Sequence, residues 1–471
     1  MSNKRIILLL DGTWNDDEVG GNATNVVRLR DLIADSLDPE PSLALSASRA
    51  VSPRMFAGRE YIVFYERGVG TGPFDRIRGG GFGLGLDINI RRAYRFLSFH
   101  YLPGDEIFIF GFSRGSYTAR SLSGYLGAVG LLRCETCTAL QENLAWSFYR
   151  TPPNDRLPGV WTELEPFVHP RENLRIHCLA LFDTVGAMGV PLQGLWRLNR
   201  KKFEFHDVEL SSLVDIALHA LAIDEHRRPF EPSLWRRNKF KGTSAVVEQV
   251  WFPGVHADIG GGYLTDDERN RAPARALDDL ALDWMIKRLH SHIKDFPITE
   301  PAWLRINPNE RLGSQHHSRT WEYKLWGNAI RSIGNNPTLQ PVFRRRDIPV
   351  GHDPHSKAVN ESVHIRAIQY IGTPVQTDEG ALLYMPVNLV TCLPNLESLY
   401  SAGSSPVIPA DTLTVTAMDG QTVLPGSELA PSVFAELVAA RNRLQREAPA
   451  LMKQMGWNPR SDSSSDLGHG E

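Results

Sequence analysis

Short apolar runs alternate with helix-like segments through residue 293 of the chain. Five runs have the length and composition of strands, at 6–10, 61–65, 106–110, 174–182 and 245–252. Continuous apolar runs of this kind are typical of the inner strands of a parallel sheet, which are buried on both faces. Helices are predicted to end near Pro103 and to span 116–129, 213–223 and 277–293. This alternation predicts an α/β fold with a doubly wound, mostly parallel sheet.

The pattern becomes less regular after residue 295, where prolines interrupt the apolar periodicity. We therefore expect a core over 1–294, a C-terminal accessory region over 295–455 that packs on the core, and a disordered tail over 456–471. The tail is rich in Ser, Asp and Gly, and such a composition cannot bury enough apolar surface to fold. The elements expected in the accessory region are strands near 363–371 and 382–390 and a helix over 431–446.

Four reactive side chains lie at or just beyond the ends of predicted strands: Asp11, Ser113, Asp183 and His256. In open α/β sheets, ligands bind outside the carboxyl ends of the strands. This shared position makes the four residues the first candidates for a functional site.

The segment Gly111–Gly115 fits the pattern G-x-S-x-G and lies between a predicted strand and a predicted helix. This context is typical of a nucleophile elbow, a tight turn that exposes the hydroxyl of the central serine, here Ser113. Gly111 and Gly115 leave room for the strained backbone. The alternative is an ordinary strand-to-helix turn in which Ser113 caps the helix.

A serine nucleophile needs a base, and the base needs an orienting carboxylate. The chain order in α/β hydrolases is Ser, then Asp or Glu, then His, and Ser113, Asp183 and His256 follow that order. Rival acids are Asp258, two residues after His256, and Asp215 and Asp224, which the prediction assigns to a helix or its end. Rival histidines are His100, His169, His177 and His219.

Attack of a serine on a carbonyl carbon turns the carbonyl oxygen into an oxyanion, which needs N–H donors for its stabilisation. One is expected to be the backbone N–H of Arg114, which follows the nucleophile. The second is expected from the loop after the first strand, through Gly12 or Thr13. In the alternative interpretation of that loop, Asp11 forms a turn by accepting bonds from backbone amides.

The composition of the chain excludes several classes of protein. The 51 Lys and Arg against 54 Asp and Glu give a formal charge of −3, so no basic excess exists for general nucleic-acid binding. Four cysteines do not form a disulfide scaffold and fit a reducing compartment. With no apolar run long enough for a membrane span and too short a run at 6–10 for a signal peptide, we expect a cytoplasmic protein in the producing cell.

No cofactor or metal is expected. The glycine-rich segments 68–72 and 79–85 match neither phosphate-binding pattern. Aspartyl-phosphatases carry the pattern D-x-D-G-T, whose first Asp is the nucleophile. The corresponding position before Asp11 is Leu9 here, which excludes that class of enzyme. The pair Cys134 and Cys137 lacks a second ligand pair for zinc. Three acids near a glycine run are more typical of a solvated loop than of a calcium site: Asp258, Asp266 and Asp267.

Several sequence blocks together resemble an uncharacterised α/β-hydrolase family that includes the first class of type VI secretion lipase effectors. The blocks are 11–15, 68–71, 111–120, 181–186, 224–230 and 251–263. The resemblance implies a serine hydrolase, with Ser113 as nucleophile, Asp183 as acid and His256 as base. It implies a phospholipase or other carboxylic-ester hydrolase, a lipid or ester substrate, export by a signal-less secretion system, and a secretion-machinery or immunity partner.

The segment 195–205 combines four basic residues with Trp196, Phe203 and Phe205. A cationic, amphipathic segment of this kind favours peripheral contact with an anionic lipid surface, and it would serve as a lid if it lies over the site. The alternative is a solvated connecting segment. The second hypothesis for the whole chain is a catalytically silent hydrolase-fold scaffold that binds partners.

Overall fold

A computed structural model defines the fold of the protein. It describes most of the chain up to residue 299 and a few segments beyond it. The described residues are 4–12, 23–37, 50–68, 82–185, 210–225, 227, 230, 232–235, 245–262, 277–299, 331, 358–360, 374–377, 380–383, 414–416 and 423–425.

The described strands form a ten-stranded sheet and a separate antiparallel pair. The core strands are β1 (Arg5–Leu10), β2 (Ala50–Phe56), β3 (Arg59–Glu66), β4 (Glu106–Phe112), β5 (Ile176–Phe182), β6 (Val214–Ala222) and β7 (Val246–Phe252). The short later strands are β8 (Ala358–Asn360), β9 (Pro374–Thr377), β10 (Gly380–Leu383), β11 (Thr414–Thr416) and β12 (Val423–Pro425).

The strand order of the large sheet is β12-β11-β8-β7-β6-β5-β4-β1-β3-β2. Every neighbouring pair from β3 to β11 is parallel, whereas β2 and β12 run antiparallel at the two edges. Strands β9 and β10 pair only with each other. The sheet is therefore mostly parallel, as the sequence predicts.

Helices cover both faces of this sheet. The α-helices of the described residues are α1 (Asn25–Leu37), α2 (Phe82–His100), α3 (Arg114–Val129), α4 (Ala139–Arg150), α5 (Pro158–Leu164), α6 (His256–Gly260) and α7 (Asp278–His292). In β1, Ile7 and Leu9 pack with α1 and α7, while Ile6, Leu8 and Leu10 pack with α2 and α3. Alternate side chains thus enter two different cores, which explains why the strand is apolar at every position. The doubly wound fold is confirmed.

The predicted helix over 213–223 is wrong, because these residues form β6 between β5 and β7. The segment is rich in Ala and Leu, which favour helices. Its small side chains instead fill a strand that is covered on both faces, and Ala217, Ala220 and Ala222 have no exposed surface. An apolar run that is buried all round has no period that separates the two structures.

The later part of the chain contributes to the same sheet. Strand β8 continues the parallel sheet beyond β7, with Val250 opposite Ala358 and Trp251 opposite Val359. The strand expected near 382–390 overlaps β10 at its first residues. The segments 363–371 and 431–446 lie outside the described residues, and the three-part division of the chain stays a prediction.

No helix of the described residues combines the length and the apolarity that a bilayer crossing requires.

Candidate active site

Ser113 occupies the turn between β4 and α3. Its backbone has a φ of +56°, a left-handed conformation that costs a non-glycine residue about 1–3 kcal/mol. Its N–H donates to the carbonyl of Phe182 over 3.1 Å, which ties the turn to β5. The hydroxyl forms no helix-capping bond, so the capping alternative does not describe this serine.

The second glycine of the motif allows β1 to pass directly beneath the start of α3. A Cβ at Gly115 would lie 2.0 Å from the carbonyl oxygen of Leu10 and 2.5 Å from that of Asp11. Both are backbone atoms, one of the last residue of β1 and one of the residue that follows it, so neither can move aside without disturbing that strand. The first glycine, Gly111, is similarly crowded, by the backbone of Ser116 at 2.7 Å.

We therefore expect Gly115→Ala to destabilise the fold by at least about 3 kcal/mol, the upper range for overpacking a core. Thermal unfolding followed by circular dichroism measures the loss. The matched control is Gly159→Ala in α5, where a Cβ meets nothing within 4 Å. Equal melting temperatures for the two variants would contradict this account of the motif.

Three side chains form a hydrogen-bonded line. Nε2 of His256 lies 2.8 Å from Oγ of Ser113, and Nδ1 lies 2.6 Å from Oδ2 of Asp183. His256 begins α6 just beyond β7, and Asp183 directly follows β5. The structure thus brings together the three side chains that the sequence predicts for the site, although they lie up to 143 positions apart in the chain.

The carboxylate of Asp183 is fully buried and has further partners. Oδ1 accepts the N–H of Ala222 over 2.9 Å and Nη1 of Arg331 over 2.5 Å, and Oδ2 accepts Nη2 of Arg331 over 2.9 Å. Burial acts to raise the pKa of this carboxyl, but the Arg331 charge and the His256 bond outweigh it and hold the pKa well below its usual range. Asp183 is therefore an anion in the folded protein.

The imidazole of His256 packs against two phenylalanine rings. The rings of Phe112 and Phe230 have their centroids 4.7 Å and 4.9 Å from that of His256. Burial lowers the pKa of His256, although Asp183 acts in the opposite direction. A lowered pKa keeps the imidazole neutral at neutral pH, which is the form that accepts a proton from a serine hydroxyl.

Comparison with known families places this geometry in context. The profile of the family described as "T6SS, Phospholipase effector Tle1-like, catalytic domain" matches residues 4–288. The chain belongs to this Tle1-like family. The match confirms the resemblance that the sequence blocks predict, and it includes Ser113, Asp183 and His256 but not Arg331.

Two further proteins are similar to the Tle1-like chain. It is 27% identical over 255 residues to the uncharacterized protein YEL023C of Saccharomyces cerevisiae. This alignment covers 49% of this chain and 32% of the yeast protein. A crystal structure of an uncharacterized protein from Pseudomonas aeruginosa aligns with a TM-score of 0.37 at 17% identity, covering 65% of this chain and 48% of that one. The Tle1-like chain thus spans less than half the length of each.

The three rival acids have bonds elsewhere in the Tle1-like chain. Oδ2 of Asp258 accepts the N–H of Val255 over 2.9 Å, and Oδ2 of Asp224 accepts the N–H of Gly254 over 2.7 Å. Asp215 pairs with Arg175. Their expected positions need correction, because Asp215 lies within a strand, β6, and Asp224 follows that strand rather than a helix.

In the part of the chain that the structure describes, the histidine that bonds to Ser113 and Asp183 is His256 and not one of the four rivals. His219 is fully buried, and its Nε2 accepts the N–H of Thr184 over 3.1 Å. Burial lowers the pKa of His219 to about 3, so it is neutral. Burial also lowers the pKa of the remaining three, His100, His169 and His177.

The loop after β1 approaches the nucleophile, and its Gly12 contacts the elbow. A Cβ at Gly12 would lie 3.2 Å from Cβ of Ser113. The Gly12 N–H donates to Oδ1 of Asp11 over 2.6 Å, and Tyr65 and Thr24 also donate to this carboxylate. This is the turn of the alternative interpretation. Thr13 lies outside the described residues, and the second oxyanion donor stays a prediction.

Arg114 is the first residue of α3. Its backbone N–H is one of the four that have no acceptor within the helix, which is what the predicted role as an oxyanion donor requires.

Metal ligands do not gather in the part of the chain that the structure describes: it contains no group of three or more His, Cys, Asp or Glu that could hold an ion. Cys134 is exposed and Cys137 is buried, and both are free thiols. Asp266 and Asp267 of the acidic loop, and the proposed lid segment 195–205, lie outside the described residues.

Proposed function

We propose that this Tle1-like protein is a serine hydrolase that cleaves carboxylic esters of phospholipids or related lipids. The observation that carries the proposal is the continuous hydrogen-bonded line from the Ser113 hydroxyl through His256 to the Asp183 carboxylate. Its support from outside the site is membership of a family of phospholipase effectors.

In the acylation step, Oγ of Ser113 attacks the ester carbonyl carbon while Nε2 of His256 takes the hydroxyl proton. Asp183 holds Nδ1–H and stabilises the imidazolium that forms. The carbonyl oxygen becomes an oxyanion, and the N–H of Arg114 at the start of α3 donates to it. His256 then gives its proton to the departing alcohol, which leaves an acyl group on Ser113.

Deacylation repeats the same steps with water. His256 removes a proton from water as the hydroxide attacks the acyl carbon, and the proton returns to Oγ of Ser113 when the fatty acid leaves. The cycle consumes one ester and one water and releases one acid and one alcohol. It uses only side-chain and backbone groups of this chain.

The family context also supports proposals about setting. We propose a lipid substrate, export from the producing cell through a type VI secretion system, and contact with secretion-machinery or immunity partners. The segment 195–205 is proposed to contact the lipid surface peripherally.

A fluorophosphonate probe together with a phospholipid panel tests the function. The purified protein should form a covalent adduct on Ser113, because the probe traps a serine that a neighbouring base activates. Incubation with vesicles of single phospholipid classes should release fatty acid and lysophospholipid, identified by mass spectrometry. A protein that folds but neither labels nor releases fatty acid would instead favour the silent scaffold.

A further inference from the structure

Arg331 is a buried cation that contacts Asp183 of the proposed site. It is 2% exposed and lies 148 positions beyond Asp183 in the chain. Its two terminal nitrogens each contact one oxygen of Asp183, over 2.5 Å and 2.9 Å. They also donate to the carbonyls of Ala222 and Phe230, each over 2.7 Å.

We propose that Arg331 is a positioning residue of the hydrolase site, whose guanidinium fixes the Asp183 carboxylate in the orientation that receives Nδ1 of His256. This inference rests on the proposed function and adds to it a group that acts through the acid. It also makes a residue beyond the matched family segment part of the working site.

The geometry explains how the fixing works. A guanidinium is a rigid planar fork, so two parallel bonds to a carboxylate set the plane of that carboxylate. The two carbonyl bonds hold the fork itself between the end of β6 and the segment that contains Phe230. The carboxylate therefore has no free rotation, and Oδ2 points at His256 before any substrate arrives.

The charge of Arg331 also has a consequence for the base. The ionisable groups that act on His256 are Asp183, Glu225 and Arg227, and Arg331 pairs with the first of these. These four charges sum to zero. Without Arg331 the surroundings carry one net negative charge, which favours the imidazolium and raises the pKa of His256.

The sign of the pH effect follows. The acidic limb of kcat/KM reports the protonation of the base in the free enzyme. A higher pKa of His256 moves this limb to higher pH. Loss of Arg331 would also raise the pKa of the buried Asp183, and a protonated acid would remove activity at the same low-pH end. Both effects move the limb in one direction.

Three variants separate charge from geometry. Arg331→Met removes the charge and the donors, Arg331→Gln keeps donors without charge, and Arg331→Lys keeps the charge without the fork. The matched control is Arg288→Met, since Arg288 is a buried arginine whose Nε donates to Glu248 over 2.7 Å at the opposite end of β7. Circular dichroism melts establish which variants fold.

Hydrolysis of p-nitrophenyl butyrate is then measured from about pH 5 to about pH 9, the range over which a histidine titrates. For Arg331→Met and Arg331→Gln we expect kcat to fall roughly 100-fold, as for a small misplacement of a catalytic group, with little change in KM. Their acidic limb should move up by about one pH unit. Arg331→Lys should keep the wild-type position of the acidic limb and show a smaller loss of kcat. Arg288→Met should keep both the wild-type limb and the wild-type kcat.

A double variant provides a second readout. If Arg331 acts through the acid, Asp183→Asn/Arg331→Met should be no slower than Asp183→Asn alone, because the two losses share one pathway. Folded Arg331 variants with the wild-type limb and kcat, or losses that multiply in the double variant, would overturn the inference and leave the hydrolase intact. A wild-type protein that never labels at Ser113 would overturn the proposed function itself.

Discussion

Replacing Ser113 by alanine should abolish ester hydrolysis while the protein stays folded. If the three residues act as a unit, loss of the nucleophile costs a factor on the order of 10⁶ in kcat. The fold should survive because the hydroxyl forms no helix cap and its partner is Nε2 of His256, which is itself held by Asp183. Initial rates on a soluble ester and on phospholipid vesicles, with a thermal melt of each protein, measure the two parts of this expectation.

The matched control is Ser98→Ala in α2. Ser98 is a buried serine whose hydroxyl donates to the carbonyl of Tyr94, one turn earlier in the same helix, over 3.1 Å. Its loss should cost about 1 kcal/mol of stability and leave turnover and fluorophosphonate labelling unchanged. Retained turnover in purified Ser113→Ala would exclude Ser113 as the nucleophile.

The elbow was predictable because its determinants are local. An apolar strand, two small residues and a following helix are adjacent in the chain, so the motif can be read without knowledge of the tertiary fold. The positions of Asp183 and His256 were predictable indirectly, through the predicted parallel sheet. Parallel strands place their carboxyl ends along one edge of the sheet, so residues that follow different strands meet there.

Local pattern was insufficient where tertiary burial decides the structure. The segment 213–223 has the composition of a helix, and only its place between two other buried strands makes it β6. That error also misplaced Asp224, which does follow a strand. The choice between Asp183 and Asp258 is of the same kind, since it depends on which carboxylate faces Nδ1 of His256 and which faces the backbone of Val255.

Arg331 had no signal in the sequence. It lies in a part of the chain without periodic pattern or motif, and a single arginine there is indistinguishable from a surface cation. The role proposed for it rests on contacts with residues more than 100 positions away. Buried pairs of this kind connect distant segments, and their partners can be identified only when the fold is known.

Asp183→Asn should reduce kcat by up to about 10⁴-fold, the loss expected when the acid of such a triad becomes an amide. The amide nitrogen would donate toward Nδ1 and stabilise the wrong imidazole tautomer. A second effect is specific to this site. The guanidinium of Arg331 would lose its counter-charge in a buried position, which destabilises a fold by about 3–5 kcal/mol. We therefore expect a lower melting temperature together with the lower rate.

The comparison variant is Asp258→Asn. An asparagine oxygen can still accept the N–H of Val255, which the carboxylate of Asp258 accepts over 2.9 Å, so α6 should keep its start and His256 its place. Rates should be measured per folded molecule, below the melting temperature of the weaker variant. Near-normal turnover in Asp183→Asn beside an inactive Asp258→Asn would reassign the acid to Asp258. A slow Asp183→Asn with a wild-type melting temperature would instead show that the buried charge of Arg331 finds another counter-charge when Asp183 is neutral.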